Sequence, residues 1–258
     1  MMQALRGSRR AATRVLCAAL LLAVSLAHAG QVRVAVAANF VGTLNELGKV
    51  FHARTGNTLL VSAGSTGKLC AQISNGAPFD VLLAADVAHP QRLEQEGLAV
   101  PGSRFTYARG QLALWSRDPR RVDDKGKVLH TDSFRHLAIA NPLTAPYGAA
   151  AQQTLQHLGL WETLAPRLVR GEDIGQTLQF VQSGNAELGF VALAQIQQLK
   201  AGARGSWWLV PAEFYDPIEQ QAVLLAHAKD NTAARVFLTF LQSRQAHEII
   251  QASGYGHG

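Results

Sequence analysis

Four short stretches of this chain share one chemical character: Ala38-Asn39, Ser65-Thr66-Gly67, Ala145-Pro146-Tyr147-Gly148 and Glu172-Asp173-Ile174. Each follows an apolar, β-like run, holds small or polar residues, and leads into a helical pattern. A helix start leaves backbone N–H groups without partners and carries partial positive charge, which makes it a ready anion site. Asn39, Ser65, Thr66 and Tyr147 add side-chain donors. Four such loops turned toward one point would hold a small oxyanion with no charged side chain. Taken singly, each is better read as an ordinary cap or turn, since Asn, Ser and Asp are common N-caps. Only their convergence would make a site.

Other constellations are weaker. Gly64-Ser65-Thr66-Gly67-Lys68 is too short between its glycines for a nucleotide phosphate loop, and Leu69 stands where Ser or Thr is required. There is no Gly-x-Ser-x-Gly elbow and no His-Glu-x-x-His. The histidines at 52, 89, 130, 136, 157, 227, 247 and 257 show no metal-ligand spacing. Most read as surface residues, with His136 or His157 the candidates for partial burial. Asp80 and Asp86 bracket a strand and read as loop caps rather than a catalytic pair. Trp207 and Trp208 read as core or a lobe-surface stripe. Nothing pairs a nucleophile with a base, so an enzyme is not expected.

The elements that must position these loops alternate along the chain. Residues 31–37 form a β-like run, and Phe40, Leu44, Leu47, Val50 and Phe51 have helical spacing with Asn39 placed as N-cap. A strand over 58–62, a helix over 68–74, a strand over 79–84 and a helix over 89–96 follow. This rhythm predicts a parallel sheet covered by helices. Residues 97–109, rich in Gly, Pro, Ser and Arg, read as a connector to a crossing point. Strands over 111–116, 138–140, 168–170, 186–191 and 207–210 alternate with helices over 148–158, 174–183 and 193–200. Residues 218–225 return the chain to the first lobe, and helices over 231–241 and 244–252 close it. Open α/β sheets bind ligands beyond the carboxyl ends of their strands, so a cleft between two lobes is the expected site.

The first 29 residues read as a cleavable secretory signal. Arg6, Arg9, Arg10 and Arg14 form a basic head, residues 15–26 an apolar run, and Ala27-His28-Ala29 a cleavage pattern. Arg9-Arg10 lacks a twin-arginine continuation, so Sec export is expected, and Cys17 lacks a lipobox context. The whole chain carries 24 Lys+Arg against 18 Asp+Glu. All four leader arginines leave with the signal, so the mature chain is close to +2 and its basic balance is no sign of nucleic-acid binding. Cys70 is then the sole cysteine, which excludes an internal disulfide. The expected layout is a signal over 1–29, a first lobe from 30–109 plus 216–258, and a second lobe over 110–215.

The segments VAVAANF (34–40), GSTGKLCAQISNGAPFDVLLAAD (64–86), GLAVPGSRFTYARGQLALWS (97–116), LAIANPLTAPYGAAA (137–151) and GNAELGFVALAQI (184–196) together resemble the periplasmic molybdate-binding proteins, the soluble receptors of bacterial ABC importers. The resemblance spans essentially the whole mature chain. It implies an α/β, type II periplasmic binding fold: two α/β lobes, a two-strand hinge, and closure around molybdate or tungstate. Position by position, it implies contacts from Ala38 and Asn39, from Ser65 and Thr66, from Tyr147 and its amide, and from the Ile174 amide. Some members donate a Tyr hydroxyl from the loop after the LGFV-like strand. That position is Ala192 here, and Tyr147 is expected to replace the contact. Lys68 is expected to face solvent.

The resemblance further implies a periplasmic monomer that delivers its anion to an inner-membrane ABC permease, with no cofactor and no nucleic acid. Sulfate or thiosulfate is the alternative ligand. Phosphate is less fitting, because its protonated form needs a buried acceptor and only Asp173 or Asp86 is at hand. A secreted hydrolase or transferase on a similar fold is the reading from another class.

Overall fold

Strand β1 (Gln31–Ala37) is an interior strand of the first sheet, and Val32, Val34, Ala35 and Val36 on it are fully buried. Its alternating start and wholly apolar end suit a strand covered on both faces at its carboxyl end. The computed structural model describes residues 30–256; the expected signal over 1–29 lies outside the described residues. In the first sheet the strand order is β2 (Thr58–Gly64), β1, β3 (Val81–Ala84), β10 (Ile218–Leu224), β4 (Phe105–Gly110). In the second it is β7 (Leu168–Gly171), β6 (Leu137–Ala140), β8 (Leu188–Ala192), β5 (Leu112–Ser116), β9 (Ser206–Leu209).

Each sheet is mixed rather than wholly parallel. β1 pairs in parallel with β2 and β3, while β10 is antiparallel to both β3 and β4. In the second sheet β6 is parallel to β7 and β8, and β5 is antiparallel to β8 and β9. The antiparallel strands are those next to the crossings, where the chain passes from one sheet to the other at Gln111 and again between Leu209 and Ile218. The stretch read as a connector over 97–109 therefore ends in a strand, β4. Its Phe-Thr-Tyr-Ala core is β-prone, but the Gly, Pro and Ser residues before it hid that signal.

Helices cover both sheets. Helix α1 (Val41–Thr55) buries Leu44, Leu47 and Phe51, and Phe51 meets Phe237 of α8 (Thr232–Leu241) edge to face at 5.3 Å between ring centroids. Burying a Leu or Phe side chain of this kind contributes about 1.5–3 kcal/mol. Helices α2 (Thr66–Ser74), α3 (Ala88–Gln95) and α9 (Arg244–Ala252) complete the first lobe; α4 (Pro146–His157), α5 (Trp161–Leu164), α6 (Ile174–Gln182) and α7 (Leu193–Gln197) pack on the second sheet. Trp208 is core, while Trp207 on the opposite face of β9 is exposed. His136 and His157 are both exposed, contrary to expectation, and His157 stacks on Phe214 instead.

Cys70 sits on the inner face of α2. Burial, with the Asp86 charge adding, pushes its thiol up to about 12. A thiol held protonated and enclosed is a poor nucleophile. The folded protein is expected to resist alkylation by iodoacetamide at mildly alkaline pH and to react stoichiometrically once unfolded in guanidinium. Rapid native labelling followed by mass spectrometry would contradict this packing.

Candidate functional site: four helix starts around one cavity

Two strand pairs set the site. Ala37, the last residue of β1, lies in register with Gly64, the last of β2, so the two following loops emerge side by side. In the second lobe Ala140 of β6 is in register with Gly171 of β7, and their loops also emerge together. Both pairs are parallel, so all four loops leave the carboxyl ends of strands. They converge. Ala38, Asn39, Ser65, Thr66, Tyr147 and Ile174 all line one small cavity, with Ala37, Gly64, Ala85, Ala145, Pro146 and Asp173 completing its wall. Its volume is about 10 Å³ measured at the centre of a water-sized sphere.

Each loop presents its donors in its own way. The first is a single 3-10 turn, Ala38–Phe40, inserted between β1 and α1. Asn39 is therefore not the N-cap of α1; that position falls to Phe40, which makes no side-chain cap. The Asn39 side chain is also not aimed at the cavity as a donor. Its Nδ2 donates to Gln220 Oε1 at 2.9 Å and to Tyr255 Oη at 3.1 Å, which uses both of its hydrogens. What Ala38 and Asn39 offer the cavity is backbone N–H.

The second loop divides its hydroxyls. Ser65 is the N-cap of α2, yet its side chain caps nothing. Its Oγ is buried with no partner. Leaving such a group unpaired costs roughly 1–3 kcal/mol, and a buried orphan of this kind calls for an explanation. Thr66 Oγ1 accepts the Ala85 amide at 3.0 Å, so only its proton is left to give. Of the two expected hydroxyls, Ser65 is the free one, because the N-cap side chain points off the helix end while that of Thr66 turns toward β3.

In the third loop Pro146 occupies the first turn of α4, where its missing N–H is no loss. The Tyr147 amide is then the foremost N–H of that helix. A Cβ on Gly148 would stand 2.4 Å from the Ala140 carbonyl oxygen, so only glycine lets α4 start this close to β6. In the fourth loop Asp173 Oδ1 accepts the amides of Gly175 at 2.8 Å and Gln176 at 3.0 Å. That cap turns the carboxylate onto its own helix and leaves the Ile174 amide ahead of it. Gln195 Nε2 donates to the Ile174 carbonyl at 3.1 Å, and its Oε1 accepts the Ala192 amide at 3.0 Å, fixing the loop from behind.

The lobes touch across this cavity. The Gly67 amide donates to the Thr144 carbonyl at 2.9 Å, and Gln198 Nε2 donates to Thr43 Oγ1 at 2.9 Å. Lys68 does not point into solvent alone; it pairs with Glu172 of the opposite lobe. That pair is half-exposed and sits at the rim, so it contributes little energy. A wider groove of about 240 Å³ opens beside it, between Asp86, His89, Leu143 and Asp216. Its two carboxylates make it the poorer anion site. Asp86 caps the start of α3, accepting the His89 amide at 3.0 Å, whereas Asp80 accepts the Arg33 amide of strand β1 at 2.7 Å. Among the described residues no cluster of three His, Cys, Asp or Glu side chains could hold a metal ion.

A family model described as bacterial extracellular solute-binding protein matches residues 32–256. The chain belongs to this family. It is 52% identical to the molybdate-binding protein ModA of Azotobacter vinelandii, over 89% of this chain and 91% of that one. It is 49% identical to the ModA of Rhodobacter capsulatus, over 92% and 93%. The solved Azotobacter vinelandii periplasmic molybdate-binding protein superposes with a TM-score of 0.85 at 46% identity, covering 88% of this chain and 99% of that one. The fold is accordingly the type II periplasmic binding fold, and this member of the solute-binding family is a binding protein rather than an enzyme.

Sequence reasoning missed Gln220, Tyr107 and Tyr255, which hold Asn39 and Tyr147 from behind. The available signal was the polar run Glu219-Gln220-Gln221 between Ile218 and the apolar end of the strand, Ala222–Leu224. The orphan at Ser65 leads to a stability prediction. In anion-free protein Ser65→Ala should leave stability unchanged or raise it by about 1 kcal/mol in urea denaturation, since it deletes an unpaired buried group. A clear loss of stability would mean that the hydroxyl already has a structural partner.

Proposed function

We propose that this chain captures molybdate, and tungstate with it, in the cavity between its lobes and delivers it to an inner-membrane ABC permease. It acts as a monomer in the periplasm, where the expected signal over 1–29 would send it. The observation that carries this reading is the buried, unpartnered Ser65 hydroxyl at a point where four helix starts meet. A donor kept dry and unused in the free protein is supported by a ligand that accepts from it. The two relatives at about half identity, both named for molybdate, support the choice of anion.

The anion docks on the donors of one lobe and the other lobe closes over it. Closure removes water, which strengthens every hydrogen bond in the cavity. Amides of Ala38, Asn39, Thr66, Tyr147 and Ile174 and hydroxyls of Ser65, Thr66 and Tyr147 then surround the four oxygens. Each charge-assisted hydrogen bond contributes about 1.5–3 kcal/mol, enough together to offset desolvation of a dianion without a buried Lys or Arg. Sulfate is disfavoured by reach: a smaller tetrahedron cannot touch donors fixed on both lobes at once. The closed spacing of the lobes, clasped at Gly67–Thr144 and Thr43–Gln198, is what a permease would recognise.

Titration calorimetry tests this. Molybdate and tungstate should bind with 1:1 stoichiometry and sulfate far more weakly. Ser65→Ala and Tyr147→Phe should each weaken molybdate by about 10- to 100-fold. Lys68→Ala should change affinity little, because its ion pair is half-exposed. No heat with molybdate, or wild-type affinity in both hydroxyl variants, would end the assignment.

A further inference from the structure

Behind the cavity lies a chain of side-chain hydrogen bonds that the anion does not touch. It begins at a backbone carbonyl. Tyr255 donates its hydroxyl proton to the Asn39 carbonyl oxygen at 2.8 Å. A carbonyl can only accept, so the Tyr255 oxygen is left as an acceptor. It takes Asn39 Nδ2 at 3.1 Å and also the Thr43 hydroxyl, which is itself the acceptor of Gln198 from the other lobe. The Asn39 amide is thereby oriented with its nitrogen toward Gln220. Gln220 must answer with its oxygen, and Oε1 accepts from Asn39 at 2.9 Å; the Tyr107 hydroxyl, 3.0 Å from Oε1 and 3.3 Å from the Ala84 carbonyl oxygen, shares its one proton between them. Its nitrogen then faces Tyr147, and Nε2 donates to Tyr147 Oη at 3.3 Å. The Tyr147 proton has no acceptor among the described residues.

Each link is buried, and each is fixed by the one before it. Gln220 is fully buried on β10. The pairing of β10 with β4 shifts register between Gln220 and Gln221, the kind of irregularity that re-aims a side chain. Asn39 and Tyr255 belong to the first lobe and Tyr147 to the second, so the chain also spans the hinge.

We propose that Tyr255, Asn39 and Gln220 form a polarity relay that fixes the Tyr147 hydroxyl as a donor into the cavity, restricting the site to fully deprotonated oxyanions. The inference rests on the anion-binding reading above and deepens it. A singly protonated anion such as hydrogen phosphate carries an O–H that needs an acceptor. With the relay set, Tyr147 turns its proton toward the ligand, and the two protons oppose each other. Were Gln220 reversed, Tyr147 would donate to it and offer the ligand a lone pair instead. Tyr255 and Gln220 are positioning residues, and neither lines the cavity.

Two measurements test the relay. Neutron diffraction from the deuterated, anion-free protein should place the Tyr255 deuteron on the Asn39 carbonyl, the Gln220 amide deuterons toward Tyr147, and no Tyr147 deuteron toward Gln220. This map reads the relay whether or not molybdate binds, so its failure is distinct from failure of the anion assignment. A Tyr147 deuteron on Gln220 would overturn the proposal. The second measurement is selectivity in Tyr255→Phe, which removes the anchor at the carbonyl. Molybdate should weaken by about tenfold, while inorganic phosphate at mildly alkaline pH weakens less or gains, so the ratio of the two Kd values falls. Asp173, the carboxylate in the cavity wall, is the same in both proteins and cancels. Equal weakening of both anions, or an unchanged ratio, would reduce Tyr255 to a structural role and overturn the proposal.

Discussion

The structure depends on donors that are kept waiting. At the point where four helix starts meet, the Ser65 hydroxyl is held out of water with no protein partner, and such a group is a cost to the free protein. Beneath the first and third loops, β6 and the carboxyl-terminal half of β1 are buried, which anchors these two loops. A dianion that accepts from the Ser65 hydroxyl returns what that group loses. Because the donors are neutral, the field at the cavity comes from oriented dipoles rather than from a movable cation.

The same constraint explains the interlobe contacts. Neither lobe holds enough donors to surround a tetrahedron, so binding requires the lobes to meet. The polar contacts that join them include the Gly67–Thr144 backbone hydrogen bond, the Gln198–Thr43 and Gln220–Tyr147 side-chain bonds, and the half-exposed Lys68–Glu172 ion pair. Weak clasps of this kind let the anion decide whether the lobes stay together, since a ligand shifts such an equilibrium only by its differential affinity for the two states. The network of Asn39, Gln220, Tyr107 and Tyr255 adds rigidity at the pivot. It ties the 3-10 turn of the first loop to the hinge strand and on to the third loop.

Much of this was legible in the sequence because it is written locally. Helical spacing after Phe40, the Gly64–Gly67 turn and the Ala-Pro-Tyr-Gly loop each carry their signal within a few residues, and each marks a strand end. What was hidden is non-local. That Ser65 rather than Thr66 is free depends on Ala85, which lies 19 residues from Thr66. That Asn39 is spent on Gln220 and Tyr255 depends on residues 181 and 216 positions away. Lys68 looked like a solvent-facing cation because Glu172, its partner, lies in the other lobe, beyond the first crossing of the hinge. The strand β4 was lost for a simpler reason: its preceding turn residues outweighed a short β-prone core.

A crystal structure of the molybdate complex tests the central claim most directly. The account predicts one anion in the cavity between Ser65 and Tyr147, its oxygens at roughly 2.7–3.2 Å from the amides and hydroxyls of the four loops, as ordinary hydrogen bonds require, with no Lys or Arg side chain in contact. An anion held by a charged side chain, or seated in the groove beside Asp86 and His89, would contradict it.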